Sequence, residues 1–131
     1  MIARPLRLRR PFDFERVRRH GRSWSTPLVV LVALPNALEH NRYGFAVGRR
    51  IGKATARNRV KRRLREAVRD LHPSLRPGYD VVVIARGSLA NPEVPQPAIV
   101  EALDQVTRRA SPRREDGNGP RPARSHQDTA E

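Results

Sequence analysis

The spacing of apolar residues divides the chain into segments with two different periods. Residues 28–34 (LVVLVAL) are an apolar run between two prolines, and residues 79–85 (YDVVVIA) are apolar except for Asp80; both segments are rich in β-branched side chains. Runs of this length and composition predict buried strands. Residues 43–47 predict another strand, and the turn-forming residues 35–41 favour an antiparallel hairpin between it and residues 28–34.

Three other segments have helical spacing. In residues 11–20, Phe14 and Val17 are three apart, Pro11 suits a first turn and Gly21 suits the end of the helix. In residues 55–71 and in a segment that begins near Pro97, apolar residues recur on one helical face. These two sets are Val60, Leu64, Ala67, Val68 and Leu71, and Ile99, Val100, Leu103 and Val106.

The resulting order is helix, two or three strands, helix, strand and helix, which predicts an α+β sandwich with helices covering one sheet. The chain has 131 residues, enough for one domain. We expect this domain to span residues 1–110. Residues 111–131 combine Pro, Gly, Ser and mixed charges without apolar periodicity, which is typical of a disordered polar tail.

The net charge of the chain indicates which class of partner it binds. Lys and Arg number 27 against 13 Asp and Glu, for a formal charge of +14, and such an excess favours a polyanion, above all nucleic acid. A membrane is a weaker candidate because bulky apolar anchors are scarce, and the run 28–34 is too short to span one. The chain has no cysteine, which excludes disulfides and thiolate zinc sites, and the cytoplasm is the default location.

The helix at residues 55–71 carries the most informative charge pattern. Opposite its apolar face lie Arg59, Arg62, Glu66 and Arg69, with Lys61 and Arg65 on one flank and Arg63 on the other. These cations have almost no acidic partner at helical spacing, and like charges four apart destabilise a free helix. A purely solvated face is therefore the weaker interpretation, and contact with nucleic acid is the stronger one.

Further cations precede this helix at Arg49, Arg50, Lys53 and Arg57. The free backbone amides of a first helical turn attract anions, so this segment suits phosphate, and Thr55 is a candidate cap. The glycine spacing and Ala54 after Lys53 do not match a nucleotide-binding phosphate loop.

The side chains that could cleave RNA are scattered. No pair of the four histidines has metal-ligand spacing on one element, and no predicted element carries a cluster of carboxylates. We therefore predict no catalytic residue, no protein metal site and no cleavage by the chain alone, although a site assembled by the fold stays open.

One segment resembles a known family. Residues 52–65 (GKATARNRVKRRLR) contain Arg57-Asn58-Arg59 followed by Val60-Lys61-Arg62, after a glycine and at the start of a basic helix. This resembles the signature of the bacterial ribonuclease P protein subunit. Residues 7–8, 13–14, 17 and 20–23 look like that family's first helix and the turn after it, and residues 79–86 look like its fourth strand. The resemblance covers residues 4–110 in consistent order.

The resemblance implies a fold and a function. The fold is an α-β-β-β-α-β-α sandwich with a central, mostly antiparallel sheet and a left-handed β-α-β crossover, although such crossovers are usually right-handed. The function is that of the protein component of ribonuclease P, a ribonucleoprotein endoribonuclease that removes the 5′ leader from precursor tRNA. Its catalytic RNA subunit, bound one to one, performs the hydrolysis with Mg²⁺ held mainly by the RNA.

The resemblance also assigns residues to two surfaces. The surface for the catalytic RNA would comprise Arg49, Arg50, Lys53, Arg57, Asn58, Arg59, Lys61, Arg62 and Arg65. A central cleft between the first helix and the sheet would bind the single-stranded leader through Phe14, Val17, Arg18 and strand residues that face the helix. Arg18 stands where many relatives carry a second aromatic residue, so guanidinium contact is expected to replace part of the stacking. Phe14 is equally compatible with a plain core position.

Two alternatives from other classes remain at this point. A ribosome-associated RNA-binding protein shares the size and the charge, but would not stimulate precursor cleavage. A self-sufficient nuclease would cleave with divalent metal and no RNA partner, and the scattered carboxylates argue against it.

Overall fold

A computed structural model describes residues 7, 8 and 10–110. Its helices are α1 (Pro11–His20), α2 (Ala54–Leu71) and α3 (Gln96–Ala110), and its strands are β1 (Arg22–Ser25), β2 (Val29–Pro35), β3 (Arg42–Ala46) and β4 (Tyr79–Ala85). Short 3₁₀ turns lie at Arg49–Ile51, His72–Ser74 and Gly87–Ala90. The order α-β-β-β-α-β-α and the α+β class are as predicted, and the predicted element bounds agree to within one residue.

The four strands form one sheet in the order β1-β2-β4-β3. β2 pairs antiparallel with β1 and β4, whereas β3 pairs parallel with β4. The sheet is therefore mostly antiparallel, but the predicted hairpin between β2 and β3 is wrong because β4 lies between them. The first five residues of β4 are buried, and apart from Asp80 they are apolar or aromatic, so a central position in the sheet buries more of β4 than an edge position would. β3, with Arg42 and Gly44, lies at an edge.

Each edge strand has a local explanation. Arg22 and Ser23, predicted as part of a turn, begin β1, a short strand whose residues are all half-buried. At the opposite edge the segment before α1 runs beside β3, where the Leu8 amide donates to the Tyr43 carbonyl oxygen at 2.7 Å. This contact covers part of the β3 edge, which would otherwise offer unpaired backbone groups.

Helices pack on both faces of the sheet. On one face, α2 and α3 contribute their predicted apolar residues to the larger core, together with Leu31, Val81 and Val83 from the sheet. On the other face, α1 packs over β2 and β4 through Val17, which contacts Val32 and Val82 in a smaller core. The predicted apolar faces of the three helices are thus confirmed.

Other predictions about organisation are not tested by this structure. The parallel strands β3 and β4 are joined through α2, and the left-handed sense of this crossover stays a prediction. α3 ends at Ala110, the last described residue, and the predicted polar tail at residues 111–131 lies outside the described residues. Within residues 7, 8 and 10–110, no helix is both long enough and apolar enough to cross a membrane.

Candidate nucleic-acid interface

The first candidate surface is formed by the 3₁₀ turn before α2 and by the first three turns of α2, and we call it the basic surface. Its members are the nine residues predicted for RNA binding. Six of them are exposed, namely Arg49, Arg50, Lys53, Asn58, Arg59 and Arg62, and three are half-buried, namely Arg57, Lys61 and Arg65. The exposed residues Glu66 and Arg69 continue the same helix face. The predicted orientation of α2 is therefore correct.

The backbone before α2 explains how the turn and the helix meet. Ile51 is buried in the larger core and anchors the 3₁₀ turn. The next residue, Gly52, has φ 138° and ψ −156°, a conformation essentially restricted to glycine. α2 then begins at Ala54, with Lys53 at the N-cap and no side-chain capping bond. Thr55 lies inside the helix, so the expectation that it caps α2 is wrong.

An N-terminus without a side-chain cap has a consequence for charge. The first amides of α2 point out of the helix end without an intrahelical partner, and the helix dipole adds positive potential at the same place. Lys53 and Arg57 stand at this end. The start of α2 thus combines backbone and side-chain donors, which suits an anion such as phosphate.

The cations on the flanks of α2 differ in their partners. Arg63 donates from Nε to Gln96 Oε1 at 3.1 Å and from Nη2 to the Val94 carbonyl oxygen, and so ties α2 to the start of α3. The Arg65 guanidinium lies 6.0 Å from the centre of the Phe45 ring, within the range of a cation–π contact. The Nε atom of Arg57 is buried without a hydrogen-bond partner. Arg63 is therefore structural, whereas the half-buried Arg57 keeps one nitrogen buried and unbonded.

The second candidate surface is an open groove of about 480 Å³ at the carboxyl ends of β3 and β4. Ala46 and Ile84 form an apolar part of its wall, and Gly48 and Gly87 border it. The arginines that line it come from α1, from the turn after β3 and from the end of β4, and are Arg18, Arg49, Arg50 and Arg86. Four guanidinium groups around a small apolar floor can bind successive phosphates of an extended strand.

Phe14 lies beside this groove, one helical turn before Arg18. Its ring tip points at Gly44 of β3 so closely that a Cβ on that residue would stand 2.5 Å from Cζ. Side chains two apart on a strand share a face, so Gly44 and Ala46 are on the α1 side. The half-buried Phe14 ring therefore extends the groove along β3.

The structure places the predicted cleft residues in different environments. Val17 has no exposed surface, because it packs α1 against the sheet, and it supports the cleft from inside without offering a contact surface. Arg18 is exposed and lines the groove. Arg49 and Arg50, predicted for the catalytic RNA, line the groove as well, so the two candidate surfaces meet at these residues.

Arg86, Ala46 and Ile84 are groove residues that the sequence analysis did not identify. The signal that could have found them is the parallel pairing of β3 with β4, because loops that follow adjacent parallel strands emerge at the same edge of the sheet. The β-α-β crossover implied by the family resemblance already contains this parallel pairing, but it was not used to bring the residues after β3 and β4 together.

At the opposite end of β4, a buried ion cluster joins α1 to the sheet. The Asp80 carboxylate, with no exposed surface, accepts hydrogen bonds from Arg16 Nη2 at 2.6 Å, Arg42 Nε and Nη2 at 2.9 and 2.8 Å, and Asn36 Nδ2 at 2.9 Å. Burial opposes ionisation of Asp80, but the bonds from Arg42, Asn36 and Arg16 outweigh it and hold the pKa of Asp80 below its ordinary value. The hydrogen bond to Asp80 likewise raises the pKa of Arg42.

The described residues offer no ready metal site. Within residues 7, 8 and 10–110, no three side chains of His, Asp or Glu come together in a group able to hold an ion. Both oxygens of Asp80 already accept hydrogen bonds from two arginines and the Asn36 amide, which leaves this carboxylate unsuited to bind a metal.

Comparison with known proteins decides among the interpretations of this basic fold. The family model described as Ribonuclease P matches residues 2–111. The ribonuclease P protein component of Roseiflexus castenholzii is 45% identical over 109 residues, which are 83% of this chain and 88% of the relative. The protein component of Herpetosiphon aurantiacus is 41% identical over 123 residues, which cover 90% of this chain and 100% of the relative.

The chain belongs to the ribonuclease P protein family. Its fold agrees, since the solved structure of the ribonuclease P protein from Thermotoga maritima superposes with a TM-score of 0.73 at 33% identity, covering 79% of this chain and 96% of that one. A ribonuclease P protein is a subunit of the ribonucleoprotein that processes tRNA, and membership implies partnership with ribonuclease P RNA. This finding sets aside the alternative of a ribosome-associated protein.

Proposed function

We propose that this ribonuclease P protein binds the catalytic RNA through the basic surface and the single-stranded 5′ leader of precursor tRNA in the groove. In this proposal one protein joins one RNA subunit. The RNA carries out the phosphodiester hydrolysis, and the protein widens the range of precursors by holding their leaders. The observation that carries the proposal is the junction of the two surfaces at Arg49 and Arg50.

The chemistry of the basic surface supports docking on structured RNA. Folded RNA presents phosphates and 2′-hydroxyls along helical grooves, and proteins bind it mainly through shape and phosphate contacts. Arg59 and Arg62 project from one exposed helix face, so one strand of phosphates can meet both. Arg57 is half-buried and stands in the first turns of α2, near the helix end where anion binding is strongest.

The chemistry of the groove supports binding of a leader without strong sequence preference. Non-specific recognition of single strands combines a positive groove for the backbone with an aromatic face for stacking. Here the guanidinium groups supply the first part, and the half-buried Phe14 ring at the groove's end supplies the second. Because Arg18 follows Phe14 by one helical turn, we expect phosphate contact to prevail over stacking at that position.

In this proposal the reaction is centred on the RNA. Magnesium prefers oxygen ligands and retains several waters, and no carboxylate cluster is found in residues 7, 8 and 10–110. When bound, Mg²⁺ would supply an activated water and stabilise developing charge. We propose that the RNA binds the Mg²⁺ ions, and that this chain orients the precursor by binding its leader in the groove.

The first experiment is a cleavage assay with precursor tRNA at near-physiological magnesium concentration. It compares the full chain alone, a bacterial ribonuclease P RNA alone, and the two together. We expect rapid cleavage only in the mixture. Cleavage by the protein alone would refute the assignment of catalysis to the RNA, and no stimulation by the protein would refute the proposed cooperation.

A second experiment tests the groove separately from RNA docking. In the reconstituted holoenzyme, Phe14→Ala should weaken binding of leader-bearing precursor more than binding of mature tRNA, because only the precursor reaches the ring. Phe12→Ala is the matched control, since Phe12 lies on the same helix but is 68% exposed and outside the sheet contact. If Phe14→Ala weakens both ligands equally, the ring has only a structural role.

A further inference from the structure

The buried ion cluster is a feature that the proposed function does not use directly. Asp80 is contacted from three parts of the fold, namely α1, β3 and the turn after β2. Arg16 provides the link from α1, and its Nη2 atom also lies 3.6 Å from Asp13 Oδ1 on the same helix. The cluster thus connects α1 to the first residues of β3 and β4.

The contacts of Val17 in the smaller core hold α1 on the sheet but do not by themselves fix its rotation. Val17 packs against Val32 and Val82, and such contacts are non-directional. A charge-assisted hydrogen bond to a buried carboxylate is directional and short, here 2.6 Å between Arg16 Nη2 and Asp80 Oδ2. It therefore restrains the rotation and height of α1 over the sheet.

The restrained residue lies between the two side chains that face the groove. Arg16 is two residues after Phe14 and two before Arg18, so a rotation of α1 moves all three together. The contact of the Phe14 ring with Gly44 tolerates little displacement. A shift of about 1 Å in a positioning group is enough to weaken ligand alignment.

We propose that Asp80 and Arg16 form a positioning pair, which fixes the orientation of α1 and thereby sets Phe14 and Arg18 at the edge of the groove. The inference rests on the proposed role of the groove in leader binding. In it neither Asp80 nor Arg16 touches the RNA. Arg42 completes the charge balance of Asp80 from within the sheet and does not orient α1.

The test uses the holoenzyme and a pair of matched variants. Arg16→Met and Arg42→Met each remove one guanidinium from Asp80, and the two side chains are similarly exposed, at 29% and 27%. The measured quantity is the ratio of affinities for leader-bearing precursor and mature tRNA. We expect Arg16→Met to lower this ratio about fivefold, or about 1 kcal/mol, Arg16→Lys to restore most of it, and Arg42→Met to change it by less than about twofold.

Two further readouts separate positioning from direct contact and from loss of folding. Asp80→Asn keeps the charge of Arg16, so it lowers the ratio only if Arg16 acts through Asp80. Assembly with the catalytic RNA should be unaffected by Arg16→Met, because the basic surface does not involve α1. A ratio unchanged by Arg16→Met, or lowered equally by Arg42→Met, would overturn the proposal, as would a ratio left intact by Asp80→Asn.

A measurement on the full-length protein without RNA distinguishes failure of this inference from failure of the leader proposal. Nuclear Overhauser contacts between the Phe14 ring and the Gly44 α-protons should be present in the wild type, weakened in Arg16→Met and retained in Arg42→Met. If this pattern appears but the wild-type holoenzyme binds both tRNA forms equally, α1 is positioned as inferred and the leader proposal is refuted. If the contacts between Phe14 and Gly44 are retained in Arg16→Met, the positioning role is refuted, regardless of how the holoenzyme binds the two tRNA forms.

Discussion

Replacing Gly44 with alanine tests the placement of Phe14 on the sheet. The added Cβ would stand 2.5, 2.8 and 3.0 Å from Phe14 Cζ, Cε1 and Cε2, whereas carbon atoms in contact prefer about 3.5–4.0 Å. The ring must therefore move by about 1 Å. Overpacking of this kind costs about 1–3 kcal/mol, and the reduced freedom of the unfolded chain offsets about 0.4–1 kcal/mol of it. We expect Gly44→Ala to lower the free energy of unfolding by about 1–2 kcal/mol.

The reasoning predicts a change of sign in a second background. With Phe14→Ala the obstructing ring is absent, so Gly44→Ala should be neutral or should stabilise the protein by up to about 1 kcal/mol. Urea unfolding of the four full-length proteins, followed by far-ultraviolet circular dichroism, gives the coupling between the two sites. The ring displaced by Gly44→Ala should also lower the preference of the holoenzyme for leader-bearing precursor.

A second glycine provides the control. A Cβ at Gly48 would meet nothing within 4 Å, and its φ of −84° is open to any residue, so Gly48→Ala should not destabilise the protein. If Gly44→Ala costs the same in the presence and absence of the Phe14 ring, the ring does not rest on Gly44 in solution, and the argument that it extends the groove fails.

Three other predictions follow from individual residues. Arg57→Ala combined with Arg59→Ala should flatten the salt dependence of holoenzyme assembly by about one unit of log–log slope per lost phosphate contact, whereas Arg108→Ala on α3 should leave the slope unchanged in the same titration. Ala37 has φ 63°, so Ala37→Gly should raise the free energy of unfolding by about 1 kcal/mol, and a decrease in urea unfolding would contradict this. The pKa of Asp80 is lower in the folded chain than in the unfolded chain, so ionised Asp80 stabilises the fold above its unfolded pKa of about 4, and this stabilisation is lost as the pH falls further. The difference in the free energy of unfolding between the wild type and Asp80→Asn should therefore shrink in acid. A difference that stays constant with pH would contradict the ionised cluster.

The elements of the fold are predictable from the sequence because their signals are local. Val60, Leu64 and Val68 recur at the helical period, and all three are buried. The prolines and glycines around the apolar runs mark where elements end. The same periodicity places Arg59 and Arg62 on the exposed face of α2, where the structure has them.

The pairing of strands was not predictable in the same way. Proximity in sequence favours a hairpin between β2 and β3, but strand order depends on which strand buries most apolar surface on both faces. β4, which lies more than thirty residues after β3, satisfies that condition and separates the two. No local pattern in residues 35–41 shows whether β3 or β4 pairs with β2.

The roles of individual arginines depend on partners that the sequence does not reveal. Arg63 and Arg65 are two residues apart on α2, yet one is bonded to Gln96 and the other lies over Phe45. Arg16 forms part of a run of cations on α1, and only the fold brings it to Asp80, 64 residues later. A count of positive charges therefore predicts the class of partner better than it predicts which side chains bind that partner.

The error in strand order also explains why the groove was incompletely predicted. In the expected hairpin the end of β3 points away from the end of β2, and the implied β-α-β crossover does not say which side chains its two loops bring together. Parallel pairing instead brings the turn after β3 next to the turn after β4, so that Arg49, Arg50 and Arg86 surround one groove. The crossover through α2 makes this arrangement possible, because α2 starts directly after the turn that lines the groove. The same connection that covers the sheet thus joins the groove to the basic surface, and a leader held in the groove would lie next to the RNA bound along α2.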